Sequence, residues 1–240
     1  MKSVEAFKER LAKVEERIAA ACARAGRNRG EVRLMAVSKV HPAGAIAEAV
    51  AAGVTLFGEN RVQEFQQKSA ELQTFGVHGA DVHLIGHLQS NKTAKAAELF
   101  SAVDTVDSLR IAERLNDAAG QFAKKLPVLL EIHLSSEETK TGLDAHSDEL
   151  RTLLERLPGF ENIAMRGLMT VAPFDQNPES ARACFRTLRE MRDALAQKHP
   201  RLDFSELSIG MSGDFEIAIE EGSTLVRIGT ALFGSRVRQP

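Results

Sequence analysis

Eight short apolar segments recur along the chain, and each is followed by a helical pattern or by the chain end. Each apolar segment has the length of a buried strand, whereas the segments between them carry the spacing of amphipathic helices. Strict alternation of strands and helices requires parallel pairing with right-handed crossovers, and eight such units close most naturally into a barrel. The sequence therefore predicts an α/β fold, a (β/α)8 TIM barrel. The predicted strands are residues 31–39, 56–60, 81–87, 102–107, 127–134, 163–171, 207–211 and 224–230.

One further helix, predicted over residues 4–25, precedes the first strand and is expected to pack against the outside or the base of the barrel. The length fits one barrel, and no Ser/Gly-rich linker interrupts the sequence, so residues 1–240 are predicted to form a single domain. An open doubly wound sheet is the alternative fold. It is less favoured because no G-x-G-x-x-G motif follows the first strand.

Charge and composition exclude several classes of function. The formal net charge of -2 at pH 7 offers no polycationic surface for nucleic acid. Residues 1–25 contain no apolar segment of signal-peptide or membrane-span length, so we expect a soluble, cytoplasmic protein without a membrane partner. The two cysteines, Cys22 and Cys184, both lie in helical patterns and are interpreted as packing residues in a reducing compartment.

The first predicted strand, EVRLMAVSK, ends in one lysine, Lys39. Alternation puts Lys39 on the same face as Met35 and Val37, so its ammonium lies over the rim if that face looks into the barrel. Partial desolvation disfavours the charged form of a lysine, and an uncharged amine can form a Schiff base with a carbonyl. By itself, this segment favours a simpler alternative, a lysine at the barrel's edge that reaches into solvent.

The carboxyl ends of the predicted strands are polar, and reactive groups of barrels of this type lie at that face. Ser135 and Thr170 are more simply interpreted as residues that end a strand. The full set of predicted strand-end residues is Lys39, Asn60, His87, Ser135, Thr170, Ser212 and Thr230.

The last two strand ends predict a phosphate site. Ser212, Gly213 and Asp214 follow the seventh strand, and Gly229 and Thr230 follow the eighth. Barrels of this type commonly hold phosphate there, through backbone N–H groups and hydroxyls of the two loops. The alternative is that Ser212 and Asp214 only cap the next helix, but a cap explains one loop and not two neighbouring ones.

Arg227 shares a face of the eighth strand with Gly229, so it is expected to point into the barrel beneath a bound ligand. A buried guanidinium needs an acceptor, which is either an acidic residue in a structural ion pair or a ligand atom such as a ring nitrogen. A Schiff-base lysine, a phosphate site and a cation for a ring nitrogen together suit pyridoxal 5'-phosphate (PLP).

Two further groups of residues, a histidine pair and a lysine-containing segment, are candidates for binding sites. His83 and His87 are four residues apart on a strand, a span of roughly 13 Å that is too long for one metal ion, and no metal site is predicted. The segment QSNKTAK is interpreted as an exposed helix start with Asn91 as its cap and Lys92 in solvent.

Several motifs, in order and across nearly the whole chain, resemble the YggS/PROSC family of pyridoxal-phosphate homeostasis proteins. The resemblance implies a single barrel like the N-terminal domain of bacterial alanine racemases. The chain departs from the family pattern at Arg61, Val82 and His133, where tyrosine, tryptophan and asparagine are frequent. The matching motifs are AVSKVHP, FGENRVQE, HLIGHLQSNK, RGLMTVAP and IGMSGDFEIAIEEGSTLVRIGTALFGSR.

The resemblance also implies the cofactor and its contacts. PLP is expected as an internal aldimine on Lys39, with Arg227 near the pyridine nitrogen and Asn60 lining the pocket. Phosphate contacts are expected from Ser212, Gly229 and Thr230. Lys92 or Lys140 is a candidate for a role in cofactor release.

The family is known for binding and buffering the cofactor, and apo PLP-dependent enzymes are candidate recipients. The amino-acid composition is consistent with a carrier, and no catalytic residues are predicted. The chain contains no tyrosine, which an alanine-type racemase needs as its second proton-transfer group. We expect no second domain over the site, and hence a monomer. Two alternatives stay open: a PLP-dependent racemase or lyase, and a cofactor-free barrel enzyme that uses Lys39 on a phosphorylated sugar or aldehyde.

Overall fold

The computed structural model describes residues 2–134, 141–173, 175 and 177–234, and it shows eight parallel strands closed into a barrel. The barrel closes where the first strand pairs with the last, with Arg33 opposite Leu225. The predicted (β/α)8 barrel is therefore confirmed. The strands of the barrel are β1 Arg33–Val37, β2 Leu56–Glu59, β3 Asp81–Leu84, β4 Ala102–Val106, β5 Leu126–His133, β7 Ile163–Met169, β8 Glu206–Met211 and β9 Leu225–Ile228.

A ninth strand, β6 Leu143–Asp144, was not predicted. It pairs in parallel with the end of β5, where Ile132 lies opposite Leu143 and His133 opposite Asp144. Two residues are too few for a periodic pattern, so the sequence carried no signal for this strand. β6 therefore adds a short strand beside the carboxyl end of β5.

Helices follow the strands as the sequence predicted. Two of them begin at a serine that acts as a cap: the Ser108 hydroxyl accepts from the Ile111 N–H, and the Ser147 hydroxyl accepts from the Leu150 N–H. The helices are α1 Lys2–Arg24, α2 Ala43–Ala51, α3 Val62–Thr74, α4 Thr93–Leu99, α5 Leu109–Gln121, α6 Asp148–Arg156, α7 Ala181–Lys198, α8 Phe215–Glu220 and α9 Thr230–Phe233. Short 3-10 turns are Arg29–Glu31, Ser90–Lys92, Leu157–Gly159 and Pro178–Ser180.

Helix α1 packs on the outside of the barrel, against α2, α8 and α9, and so covers the seam between β1 and β9. Arg17 forms an ion pair with Glu216 at 2.6 Å. The Arg27 guanidinium donates to the carbonyl oxygen of Ser223, which lies just before β9. Of the two positions predicted for this helix, the outside is correct.

The core lies mainly between the barrel and the surrounding helices. Phe57, Val103 and Leu130 are fully buried on the outer face of their strands. The barrel interior has a smaller apolar group that contains Met35, and a Cβ added to Gly58 would lie 2.7 Å from the Met35 sulfur. A larger residue there would have to displace the Met35 and Ile85 side chains, so the interior is closely packed at this point.

Neither cysteine stands outside a helix: Cys22 is buried in α1, and Cys184 lies half-buried in α7. Across the described ranges, no helix is both long enough and apolar enough to cross a membrane. In the same ranges, no group of three or more His, Cys, Asp or Glu residues is placed to hold a metal ion.

Candidate functional site

An open cavity of about 770 Å³ lies at the carboxyl ends of the strands. All six residues predicted as a binding site line it: Lys39, Asn60, Ser212, Arg227, Gly229 and Thr230. The volume is in the range of small-molecule sites. Further lining residues, which the sequence analysis did not single out, include Val40, His41, Ile85, Asn177 and Met211.

Lys39 lies two residues beyond β1, half-buried at the mouth of the cavity. It belongs to a tight turn that is closed by a 3.0 Å hydrogen bond from the His41 N–H to the Ser38 carbonyl oxygen. The next residue, Val40, has a φ of 62°, which is strained for a β-branched side chain. The backbone around Lys39 is therefore held in an unusual conformation.

Asn60 follows β2 and turns its side chain toward the cavity. Its Oδ1 atom is buried and has no hydrogen-bond partner among the described residues. The β3 loop approaches so closely that a Cβ on Gly86 would lie 2.2 Å from the Asn60 carbonyl oxygen. A glycine is needed there, and it fixes the backbone that carries Asn60.

Ser212 joins the two loops that were predicted to hold phosphate. Its hydroxyl accepts from the Gly229 N–H at 3.2 Å and from the Ala231 N–H at 3.4 Å. In the alternative interpretation Ser212 and Asp214 cap α8: Asp214 does occupy the N-cap position, but its side chain forms no capping hydrogen bond, and Ser212 lies outside the cap. Asp214 instead accepts from the Met211 N–H at 2.5 Å within the loop, and burial raises the pKa of its carboxyl group.

Arg227 is buried in β9, with 4% of its surface exposed. Nη1 donates to the Ser208 carbonyl and hydroxyl oxygens at 2.8 and 2.7 Å, and Nη2 donates to the Thr170 carbonyl oxygen at 2.8 Å. Burial lowers the pKa of the guanidinium, against the opposing effect of Asp104, Asp214 and Glu131. Within the described ranges no carboxylate forms an ion pair with Arg227, so its polar partners are backbone and hydroxyl oxygens.

Thr170 does more than end a strand. It is buried, its carbonyl oxygen accepts from Arg227, and its hydroxyl donates to the Ile132 carbonyl oxygen at 2.7 Å. Ser208 is fully buried as well. Thr170 and Ser208 hold the Arg227 side chain, and the sequence analysis missed this role because the contacts cross between strands that are distant in sequence.

A second polar group fills the barrel below Arg227. His83 and the buried Asp104 carboxylate are 3.0 Å apart. Burial acts to lower the pKa of His83, but the Asp104 carboxylate outweighs it, so the pKa is raised overall. Arg33 and Glu206 pair at 2.6 Å nearby. His87 is half-exposed and contacts a different carboxylate, Asp107, so the two histidines form separate sites as predicted.

The remaining candidates lie away from the cavity or outside the described residues. Lys92 ends the 3-10 turn before α4 and does not line the cavity that the described residues form. The prediction of Asn91 as the cap of this helix is wrong, since Lys92 occupies that position. Lys140 and Ser135 lie outside the described residues.

Comparison with known proteins gives consistent matches over most of the chain. The family described as "Alanine racemase, N-terminal domain" matches residues 10–237. The pyridoxal phosphate homeostasis protein of Escherichia coli K12 is 46% identical over 94% of this chain and 95% of its own length. The protein of that name from Aquifex aeolicus is 41% identical over 95% of this chain and 97% of its own length.

Solved structures agree. PipY of Synechococcus elongatus PCC7942, solved without PLP, is 40% identical, with a TM-score of 0.85 over 95% of this chain and all of its own. The structure of PipY with PLP bound superposes with a TM-score of 0.84. Alanine racemase of Clostridium difficile 630 is 17% identical, with a TM-score of 0.65 over 87% of this chain and 53% of its own, and shares the fold alone. This chain belongs to the family of pyridoxal phosphate homeostasis proteins, which is built on the N-terminal domain fold of alanine racemases.

Proposed function

We propose that this chain binds PLP, holds it as a Schiff base on Lys39, and takes part in the homeostasis of the cofactor as a carrier. One observation carries the proposal: a lysine, a serine-bridged pair of loops and a buried guanidinium all face one cavity of a member of this family. The aldehyde, the phosphate and the ring nitrogen of PLP require these three kinds of partner. The whole chain acts as one binding domain in this proposal.

The phosphate contacts are assigned to the two loops that Ser212 bridges. Thr230 and Ser212 supply hydroxyl groups, and the Gly229 N–H already points at the Ser212 hydroxyl. A Cβ built on Gly229 would be in van der Waals contact with Val37, no closer than 3.5 Å, so Gly229 packs directly beside the end of β1 at the cavity wall. Small residues and exposed donors are what a phosphate group needs.

Asn60 and Arg227 are assigned to the ring. The unpartnered Oδ1 atom of Asn60 supports a polar contact with a ligand, because buried polar atoms of proteins are nearly always hydrogen-bonded. When bound, PLP supplies an aldehyde whose carbon accepts an amine with loss of one water molecule. The Lys39 amine contributes the electron pair, and its position at the mouth leaves it accessible to the aldehyde.

Storage rather than turnover is the activity that these residues favour. A guanidinium stays protonated at physiological pH, so a ring nitrogen beside Arg227 stays unprotonated and the ring is a weak electron sink. The chain has no tyrosine that could return a proton opposite Lys39. We propose a monomer that delivers the cofactor to apo PLP-dependent enzymes.

The test is a spectrum before and after borohydride reduction, followed by peptide mapping. The purified protein should be yellow, and reduction should fix the cofactor on Lys39. Lys39→Ala should lose this label, whereas Lys95→Ala should retain it, since Lys95 is exposed on α4 and pairs with Glu98. A colourless protein that takes up no PLP would support the cofactor-free alternative, and a label that maps to another lysine would refute the role of Lys39.

A further inference from the structure

A buried charged network lies directly behind Lys39, on the outer side of β1 and β2. Lys68 of α3 is its centre: Nζ lies 3.0 Å from the Ser38 carbonyl oxygen, 2.8 Å from Glu59 Oε1 and 2.7 Å from Glu64 Oε1. Ser38 and Glu59 are fully buried, and Lys68 is 7% exposed. We call these four residues the Lys68 network. None of them lines the cavity that the described residues form.

The Lys68 network holds both neighbours of Lys39 in the chain. Ser38 is fixed by its hydroxyl, which donates to Glu59 Oε1 at 2.7 Å, and by its carbonyl oxygen, which accepts from Lys68. Its N–H donates to the Gly58 carbonyl oxygen at 3.1 Å. On the other side, the Val40 N–H donates to Glu64 Oε1 at 2.7 Å. The peptide groups on either side of Lys39 are thus tied to the same ammonium.

The conformation that the network holds is a strained one. Val40 has a φ of 62° and its side chain is 60% exposed, so little packing of its own supports this conformation. The third position of a turn with positive φ is normally glycine. The hydrogen bond to Glu64 opposes relaxation of this residue, together with the bond from the His41 N–H to the Ser38 carbonyl oxygen that closes the turn. Relaxation of Val40 would move Lys39 with it.

Burial of the Glu59 carboxylate and the Lys68 ammonium is costly, although the Glu64 side chain is 25% exposed. Apolar side chains often fill such a space at least as well. Glu59 Oε2 is buried without a partner among the described residues, and burial raises the pKa of this carboxyl group. What the cluster contributes here is one fixed arrangement of the chain. Here Glu59 also directly precedes Asn60, so the network anchors two residues of the cavity wall.

We propose that the Lys68 network positions Lys39: it locks the turn of residues 38–41 so that the amine stands at the cavity mouth, aligned to attack an aldehyde. The inference rests on the proposed Schiff base. Ser38, Glu59, Glu64 and Lys68 act through the backbone and touch no ligand, so they are positioning residues. We therefore expect these residues to control the rate at which Lys39 forms the Schiff base, and to contribute little to the affinity for the phosphate group.

The experiment separates capture from binding. Apo protein is mixed rapidly with PLP, and the rise of Schiff-base absorption gives the rate of capture, that is, of Schiff-base formation. Pyridoxine 5'-phosphate has no aldehyde, so its affinity measures noncovalent binding in the cavity. In Lys68→Met, capture should be slower by about tenfold, while affinity for pyridoxine 5'-phosphate stays within about twofold. Lys124→Met is the matched control: like Lys68, Lys124 donates from Nζ to backbone carbonyl oxygens, here of Ala97 and Glu98, but it lies away from the cavity. This control should capture PLP at the normal rate.

Unchanged capture in Lys68→Met, equal slowing in Lys124→Met, or a parallel loss of affinity for pyridoxine 5'-phosphate would each overturn the proposal. If Lys68→Met does not fold, Ser38→Ala decides, since it leaves Lys68 paired with both carboxylates, and slowed capture is again expected. Failure of the proposed function would be seen separately, because the wild-type protein would then form no Schiff base with PLP at Lys39.

Discussion

The Arg227 Nη2 atom donates a 2.8 Å hydrogen bond to the Thr170 carbonyl oxygen, which joins β9 to the end of β7 past the intervening β8. The same guanidinium reaches β8 through Ser208. Two strands thus fix a side chain that belongs to a third. The direction of Arg227 is set before any ligand arrives, and such preorganisation reduces what binding must order.

Replacement of Arg227 by lysine should therefore destabilise the fold. The ammonium of lysine keeps the charge but lacks the two Nη groups that donate to the Thr170 and Ser208 oxygens at once. Some of these buried acceptors would therefore lose their hydrogen-bond donors. We expect the free energy of unfolding in urea to fall by about 3 kcal/mol. Arg33→Lys is the control: the Arg33 side chain is 49% exposed in its pair with Glu206, and a change within about 1 kcal/mol is expected. Equal losses in the two variants would contradict the special role of Arg227.

Gly86→Ala tests the close approach of the β3 loop to Asn60. The added Cβ would lie 2.2 Å from the Asn60 carbonyl oxygen, so the backbone must move and carry the Asn60 side chain with it. We expect a loss of about 2 kcal/mol in stability, together with weaker PLP retention on dialysis. A Cβ on Gly30 meets nothing within 4 Å, so Gly30→Ala should change neither quantity. Normal retention in Gly86→Ala would show that Asn60 does not contribute to binding.

His83 should make the stability depend on pH. Burial acts to lower the pKa of His83, but Asp104 and Glu206 raise it more than burial and Arg33 lower it, so the folded protein binds the proton more tightly than the unfolded chain. The stabilisation is fully present below about pH 6.5, the usual pKa of histidine, and is lost as the pH rises through the higher pKa of the folded state.

The measurement is urea unfolding of wild type and His83→Gln across this pH range. The advantage of the wild type should shrink from the acidic to the alkaline end. His78 is exposed in a loop, and His78→Gln should show no such trend. An advantage that stays constant would mean that folding does not shift the pKa of His83, and one that grows with pH would mean that folding lowers it.

A carrier and an enzyme differ in what happens to the α-proton of an amino acid. With PLP-loaded protein in heavy water, we expect no exchange of the alanine α-proton at catalytic rates, because in the proposed function the ring nitrogen beside Arg227 stays unprotonated and the ring is a weak electron sink. Proton NMR of the amino acid measures this directly, with an alanine racemase as the positive control. Exchange that disappears in Lys39→Ala would instead establish the racemase or lyase alternative.

The barrel could be predicted because apolar periodicity is a local property, and eight strands of four residues or more each carry it. Strand ends of a parallel barrel meet at one face, so Lys39, Asn60 and Ser212 could be expected in one cavity from topology alone. The two-residue β6 gave no such signal. The predicted cap at Asn91 failed because a 3-10 turn, which local residue preferences do not specify, precedes α4.

The Lys68 network could not be predicted, for a different reason. Lys68 lies in an amphipathic helix with charged neighbours, where a lysine is normally exposed. Its burial depends on how α3 packs against the ends of β1 and β2, which is a tertiary property. The sequence around Glu59 also does not show whether a carboxylate at the end of a strand is buried under a helix or exposed to solvent.

The seam between β1 and β9 also sets an order for synthesis. Lys39 is made early, whereas Ser212, Gly229 and Thr230 belong to the last part of the barrel to leave the ribosome. A chain that lacks β9 leaves the β1 and β8 edges unpaired and lacks Arg227, Gly229 and Thr230 of the cavity wall. In the proposed function, PLP binding therefore requires the closed barrel, because the residues assigned to its aldehyde and to its phosphate lie on opposite sides of the seam between β1 and β9.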